Sequence, residues 1–134
     1  MTTFEEKVAL LRRIYAAFNG RQIELVLSAL DPEVLWPDVR ERRFIRGHEA
    51  VRDYWERQFQ RIDARVEPTR FTPEDSAVVV DVRQVVRDLR TLDVVEQRVV
   101  HAYTFRGDLV AGMRVHGTLE EALRALRCER AAQT

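Results

Sequence analysis

One histidine stands where proton chemistry is easiest to place. In the stretch Val94–Phe105, VVEQRVVHAYTF, His101 alternates with Gln97, Val99, Tyr103 and Phe105, so a strand here carries an imidazole, an amide and a phenol on one face. An imidazole with an ordinary pKa of about 6.5 can donate or accept a proton at neutral pH, which makes His101 the leading candidate for acid–base work. The plainer reading is a hydrogen-bonded core histidine. Asp38 is the natural second catalytic member, a carboxylate at a pocket mouth that orients His101 or takes up a proton itself. Its plainer reading is a solvated turn residue after Pro37. Tyr15 and Gln84 offer directional hydrogen bonds to a carbonyl or hydroxyl. Trp36, Trp55, Phe59, Tyr103 and Met113 supply a mixture of core and pocket wall, with Gln84, Gln97 and His101 as its polar lining.

Composition removes several function classes. The 134 residues fit one domain with a core of useful size, and 22 basic residues balance 22 acidic ones. A chain without net charge has no global field to draw in nucleic acid or anionic lipid. The single cysteine, Cys128, can form no internal disulfide and has no Cys or His partners at metal-ligand spacing, so neither a disulfide scaffold nor a metal site is expected, and the cytoplasm is the default compartment. No apolar run reaches the ~18 residues of a membrane span, and the amino terminus lacks the regions of a signal peptide. No organic cofactor motif is present.

Periodicity then supplies the elements that must hold these residues. Thr3 and Glu6 have capping-box spacing before Phe4, Val8, Leu11, Tyr15 and Phe18, a helical stripe that Asn19-Gly20 is expected to stop in a left-handed turn. Ile23, Val26, Leu27 and Leu30 mark a second, shorter helix ended by Asp31-Pro32. Val34-Leu35-Trp36, broken by Pro37, reads as an edge strand or strand end. Asp38–Arg46 holds Arg40, Arg42, Arg43 and Arg46, and the acids around them favour a solvated hairpin over an anion site. A third helix follows Gly47, with Val51, Tyr54, Trp55, Gln58 and Phe59 on one face. From Ile62 the period becomes two: an edge strand at Arg65–Thr72, a β-branched strand at Ser76–Leu89 with Val78, Val80, Val82, Gln84 and Val86 inward, then the His101 strand, then Leu109–His116 with Leu109, Ala111, Met113 and Val115 on one side. A short amphipathic helix from Thr118 closes the chain, and the tail after Arg130 is expected to fray. Helices first and antiparallel strands after make an α+β domain.

The strings IYAAFNGRQIELVLSALDPEVLW, RGHEAVRDYWERQ and HAYTFRGDLVAGMRV, in this order, resemble the nuclear transport factor 2-like superfamily, in particular its SnoaL-like and ketosteroid-isomerase-like members. The resemblance covers nearly the whole chain. It implies a cone-shaped fold, a curved antiparallel sheet covered by three N-terminal helices with a short C-terminal helix, a deep apolar pocket and a homodimer through the outer sheet face. It also implies many activities, among them isomerases, cyclases, hydrolases and members that only associate. Residue by residue, the ketosteroid-isomerase tyrosine falls on Ile14, with Tyr15 rotated by about 100° so that its hydroxyl faces elsewhere. The catalytic base falls on Trp36, two residues before Asp38, and the oxyanion-hole acid falls on His101. Steroid-type isomerisation is therefore disfavoured, and the aspartate–arginine–aspartate relay of limonene-type epoxide hydrolases has no match. Two readings remain open. One is a cofactor-independent pocket protein that binds a small, largely apolar carbonyl, hydroxyl or epoxide compound, with turnover by His101 and Asp38. The other is a non-catalytic association module using Val79, Val85, Val100, Ala102 and Thr104.

Overall fold

The computed structural model describes residues 2–132. Helix α1, Phe4–Asn19, begins at Thr3, whose hydroxyl accepts from the Glu6 N–H while the Glu6 carboxylate accepts from the Thr3 N–H, both at 3.1 Å. Its end departs from the expected glycine stop. Gly20 has φ −84°, and Arg21 instead takes the left-handed conformation at φ 59°. The Gln22 N–H bonds to the Ala17 carbonyl and the Arg21 N–H to the Phe18 carbonyl, the paired bonds of a Schellman cap, here with arginine where glycine is usual. The Arg21 side chain offsets the backbone cost. It donates to the Phe18 and Ala64 carbonyls, pairs with Asp63 and lies over the Phe59 ring at 4.2 Å.

Helix α2, Ile23–Ser28, is shorter than its apolar pattern suggested, because Leu30 through Pro32 are already extended. They open β1, Leu30–Asp38, which continues through the turn into β2, Arg43–Arg46. Helix α3, His48–Arg61, then leads into the strands β3, Ile62–Glu74; β4, Ala77–Asp88; β5, Val94–Arg106; and β6, Leu109–His116. The sheet is curved and open, in the order β2-β1-β6-β5-β4-β3. β3 is an edge, as its proline suggested, but β1 is interior. β6 runs parallel to β1 on one side and β2 antiparallel on the other, which makes the β1–β6 pair the exception in an otherwise antiparallel sheet. Pro37 is tolerated there because pairing with β6 ends at Leu35, so the strand is one-sided where the proline falls.

The pleat of β4 is as expected: Val78, Val80 and Val82 are fully buried in the main core beneath α1, α2 and α3. On β5 the inward face is the expected one, but only its second half is covered. Val95 is 57% exposed, because the β4–β5 hairpin runs past the helices. Alternation fails on β6. The register steps from Thr104↔Gly112 to Phe105↔Val110, leaving Ala111 as a bulge, so Val110 rather than Ala111 enters the core.

Helix α4, Leu119–Ala132, is a full 14 residues and packs on the opposite side of the sheet. Residues 131 and 132 are helical, and the rest of the tail lies outside the described residues. Val79, Val100 and Ala102 are buried with Ala122 under Leu119, Leu123 and Leu126. This corrects the expectation that those three residues form an outer interface: the chain's own helix covers them. Beside α4 the outer face is a charge ladder, with Arg83 pairing with Glu67 at 3.6 Å and with Glu96 at 2.6 Å, and Val85 sits between such residues while Thr104 is exposed. Among the described residues, no helix is long and apolar enough to cross a membrane.

Candidate active site

Three side chains form a buried hydrogen-bonded chain between α1 and β5. The pleat places His101 and Tyr103 on the same inward face of β5, and α1 lays Tyr15 across them. The Tyr103 hydroxyl donates to Tyr15 Oη at 2.9 Å, and Tyr15 Oη lies 2.8 Å from His101 Nδ1. The Tyr15 ring is nearly parallel to the imidazole, at 8° with centroids 5.9 Å apart. All three residues are buried, His101 at 7% exposure. The inference from helical spacing that the Tyr15 hydroxyl faces away is therefore corrected. α1 turns its Leu11, Ile14, Tyr15 side to the sheet, and a phenol is long enough to reach β5 from the flank of that stripe.

Proton directions follow from counting donors. Tyr15 Oη already accepts from Tyr103, so its own proton goes to His101 Nδ1, and the remaining imidazole proton sits on Nε2. Burial holds the imidazole pKa down at about 4, so the ring is neutral at pH 7 and carries a single proton. Burial likewise raises both phenols well above their ordinary range. His101 Nε2 has no hydrogen-bond partner among the described residues. The trio is thus a relay of neutral donors that ends in one free N–H.

That N–H belongs to the wall of a pocket of about 220 Å³. Trp36 and Trp55 form one side, edge to face at 5.4 Å, and Met113, Val99 and Val115 of β5 and β6 form another. Gln84 and Gln97, a directly opposed pair across β4 and β5, lie toward the open end with Gln58, whose amide donates to Tyr54 Oη at 3.2 Å. The lining contains no Asp, Glu, Lys or Arg. Of the residues singled out from sequence, the structure brings Tyr15, Trp36, Trp55, Gln84, Gln97, His101, Tyr103 and Met113 to this pocket. Two fall outside it. Phe59 packs on Phe18 and under Arg21, and Asp38 is turned into its own hairpin, accepting the Glu41 N–H at 3.2 Å and the Arg43 Nε–H at 3.4 Å. Asp38 makes no hydrogen bond to His101. Tyr54 and Gln58 were missed as lining residues, although their four-residue spacing beside Trp55 put them on the right helical face. Among the described residues, no cluster of three or more His, Cys, Asp or Glu side chains could hold a metal ion. A wider cleft of about 550 Å³ along α1 and α2 lacks any buried polar group and offers no comparable chemistry.

The direction of the relay has a measurable consequence. Tyr103→Phe removes the outermost donor but leaves the Tyr15–His101 bond, so it is expected to cost about 1 kcal/mol of stability, the net worth of one neutral hydrogen bond. Urea unfolding measures it; a loss of several kcal/mol would mean that Tyr103 supports His101 directly.

A model of the SnoaL-like domain matches residues 11–113. No curated protein matches the sequence. Among solved structures, the fold is similar to an NTF2-like protein of unknown function from Burkholderia pseudomallei, with 24% identity, 89% of this chain and 95% of that one covered, and a TM-score of 0.77. It is similar to SalBIII, an epoxide hydrolase/cyclase-like enzyme of pyran ring formation in salinomycin, at 14% identity, 90% and 96% coverage and a TM-score of 0.77. A Mycobacterium tuberculosis protein in complex with estradiol-17beta-hemisuccinate is also similar, at 16% identity, 86% and 95% coverage and a TM-score of 0.73.

Proposed function

Since the chain belongs to the SnoaL-like domain family, within the nuclear transport factor 2-like superfamily, we propose that it uses its apolar pocket to bind a small molecule and to polarise one oxygen of that molecule through His101. The observation that carries this reading is the free Nε2–H of a neutral, buried imidazole whose other nitrogen is occupied by Tyr15. A neutral N–H donor in a pocket without ionised side chains suits a carbonyl, hydroxyl or epoxide oxygen. The walls of Trp36, Trp55 and Met113 suit an apolar body. At about 220 Å³ the space falls below the ~300 Å³ at which pockets for drug-sized ligands begin, which favours a bicyclic ligand over a tetracyclic one.

The role of His101 is that of an electrophile. A ring that stays neutral down to about pH 4 is a weak base, and no carboxylate lines the pocket to assist it, so the pairing of His101 with Asp38 as base and orienter loses its support. Polarisation of an oxygen is compatible with a ring-opening or ring-closing reaction such as the one named for SalBIII, carried over here as an analogy of fold, whereas a steroid of the size seen in the estradiol complex exceeds this pocket.

The test is a matched pair of ligands. 2-Acetylnaphthalene and 2-isopropylnaphthalene differ little except in the carbonyl oxygen, and quenching of Trp36 and Trp55 fluorescence reports occupancy. The ketone is expected to bind roughly 5- to 10-fold more tightly, the worth of one neutral hydrogen bond, and His101→Phe to abolish the difference. Equal binding of both compounds by the wild type would remove His101 from the function, and binding of neither would remove the pocket.

A further inference from the structure

Beside the pocket lies a second cleft of about 550 Å³, lined by Asp38, Arg40, Glu41, Arg43, Tyr54, Arg57 and Arg61. Tyr54 is a wall of both. On α3 the positions Tyr54, Arg57 and Arg61 are spaced i, i+3 and i+7, so the helix that closes the pocket with Tyr54 carries two guanidinium groups along the same stripe. The β1–β2 hairpin brings Arg40 and Arg43 to the other side. Asp38 is 3% exposed and already engaged by Arg43 and the Glu41 N–H. Arg40, Arg57 and Arg61 form no ion pair with any described residue, whereas many of the chain's other arginines do. Four cations against two carboxylates make this a local positive excess on a chain of net charge zero, directly next to a pocket that holds no charge at all.

We propose that the arginine cleft takes the anionic end of the ligand whose apolar body occupies the His101 pocket, so that the ligand class is an apolar ketone or related oxygen compound bearing a carboxylate. Guanidinium groups fork onto carboxylates with two parallel hydrogen bonds, and the shared Tyr54 wall lets one molecule lie across both spaces. Asp38 then has a positioning role: it holds Arg43 and the hairpin that presents the cleft. This inference rests on the pocket reading above.

The experiment compares 6-acetyl-2-naphthoic acid, and its homologue with a butanoic acid side chain in place of the carboxyl group, with their methyl esters, by tryptophan quenching at low salt. Acid and ester share one body and differ in charge. At least one acid is expected to bind about tenfold more tightly than its ester, with the preference falling several-fold at 0.5 M sodium chloride. In Arg57→Gln/Arg61→Gln, and in Arg40→Gln as an independent variant on the hairpin, the acid-to-ester ratio is expected to fall toward one. Equal affinity of both acids and their esters in the wild type overturns the arginine assignment and leaves the pocket standing. Failure of acids, esters and 2-acetylnaphthalene alike overturns both.

Discussion

Between pH 7 and pH 5 the protein is expected to lose roughly 2 kcal/mol of stability through His101 alone. In the unfolded chain a histidine binds its proton below about pH 6.5, whereas the folded ring stays neutral to about pH 4. Through that window the unfolded state therefore binds more protons, and stability falls by up to ~1.4 kcal/mol per pH unit as the pH drops. The contribution is fully present above pH 6.5 and is lost by the time the pH has fallen through about 4, on the order of 3 kcal/mol in all. Urea midpoints at pH 7, 6 and 5 measure the effect. The comparison protein is His101→Gln, whose amide can accept from Tyr15 and donate into the pocket without titrating. The carboxylates held low by their partners, such as Glu24 beside Arg52 and Glu74 beside Arg127, act at more acidic pH and leave this range clear. If the wild type and His101→Gln lose stability in parallel, the ring is not the buried neutral group assigned here.

Trp55→Ala is expected to be the most damaging single substitution in the pocket, at about 3–5 kcal/mol. Trp55 is 2% exposed and holds two aromatic contacts at once, edge to face on Trp36 at 5.4 Å and on Phe18 at 5.8 Å. Truncation loses the transfer free energy of an indole and opens a space that α3 and β1 are too constrained to fill. It also merges that space with the pocket, so affinity for a bicyclic ketone is expected to fall even at temperatures where the variant is folded. Urea unfolding at pH 7 gives the stability change, and tryptophan quenching through Trp36 gives the binding change. A loss under about 1.5 kcal/mol would mean that the pocket wall collapses freely, and the pocket would no longer be a rigid site. Phe59→Ala serves as the contrast, since Phe59 is half-buried, lies outside the pocket and should leave ligand affinity intact.

Local patterns were legible because their causes are local. The Thr3–Glu6 cap, the stripe of α1 and the inward face of β4 follow from periods of 3.6 and 2 that hold wherever one face is buried. The same period put His101 and Tyr103 together and collected Trp36, Trp55 and Met113 as wall. It failed where the backbone left its period. The bulge at Ala111 exchanges the core position from one residue to the next, and Arg21 rather than Gly20 turns left-handed because its guanidinium finds Asp63 and the Phe59 ring from a distant part of the chain.

Contacts between distant segments were not legible in the same way. Tyr15 and His101 are 86 residues apart, and which flank of α1 meets β5 depends on the angle at which the helix crosses the sheet, a quantity set by packing of both surfaces. The same applies to α4, which covers Val79, Val100 and Ala102 and so withdraws part of the surface that alternation alone leaves open. By itself the sequence determined an α+β domain of helices followed by strands, the face on which Gln84, Gln97 and His101 lie, and the absence of net charge. Only the tertiary structure decided that Tyr15 fixes the tautomer of His101, that Asp38 serves its own hairpin, and that arginines from α3 and the β1–β2 loop share one cleft. The physical reason is that periodicity reports which side of an element is buried, whereas proton direction, pKa and charge clustering depend on distances between elements.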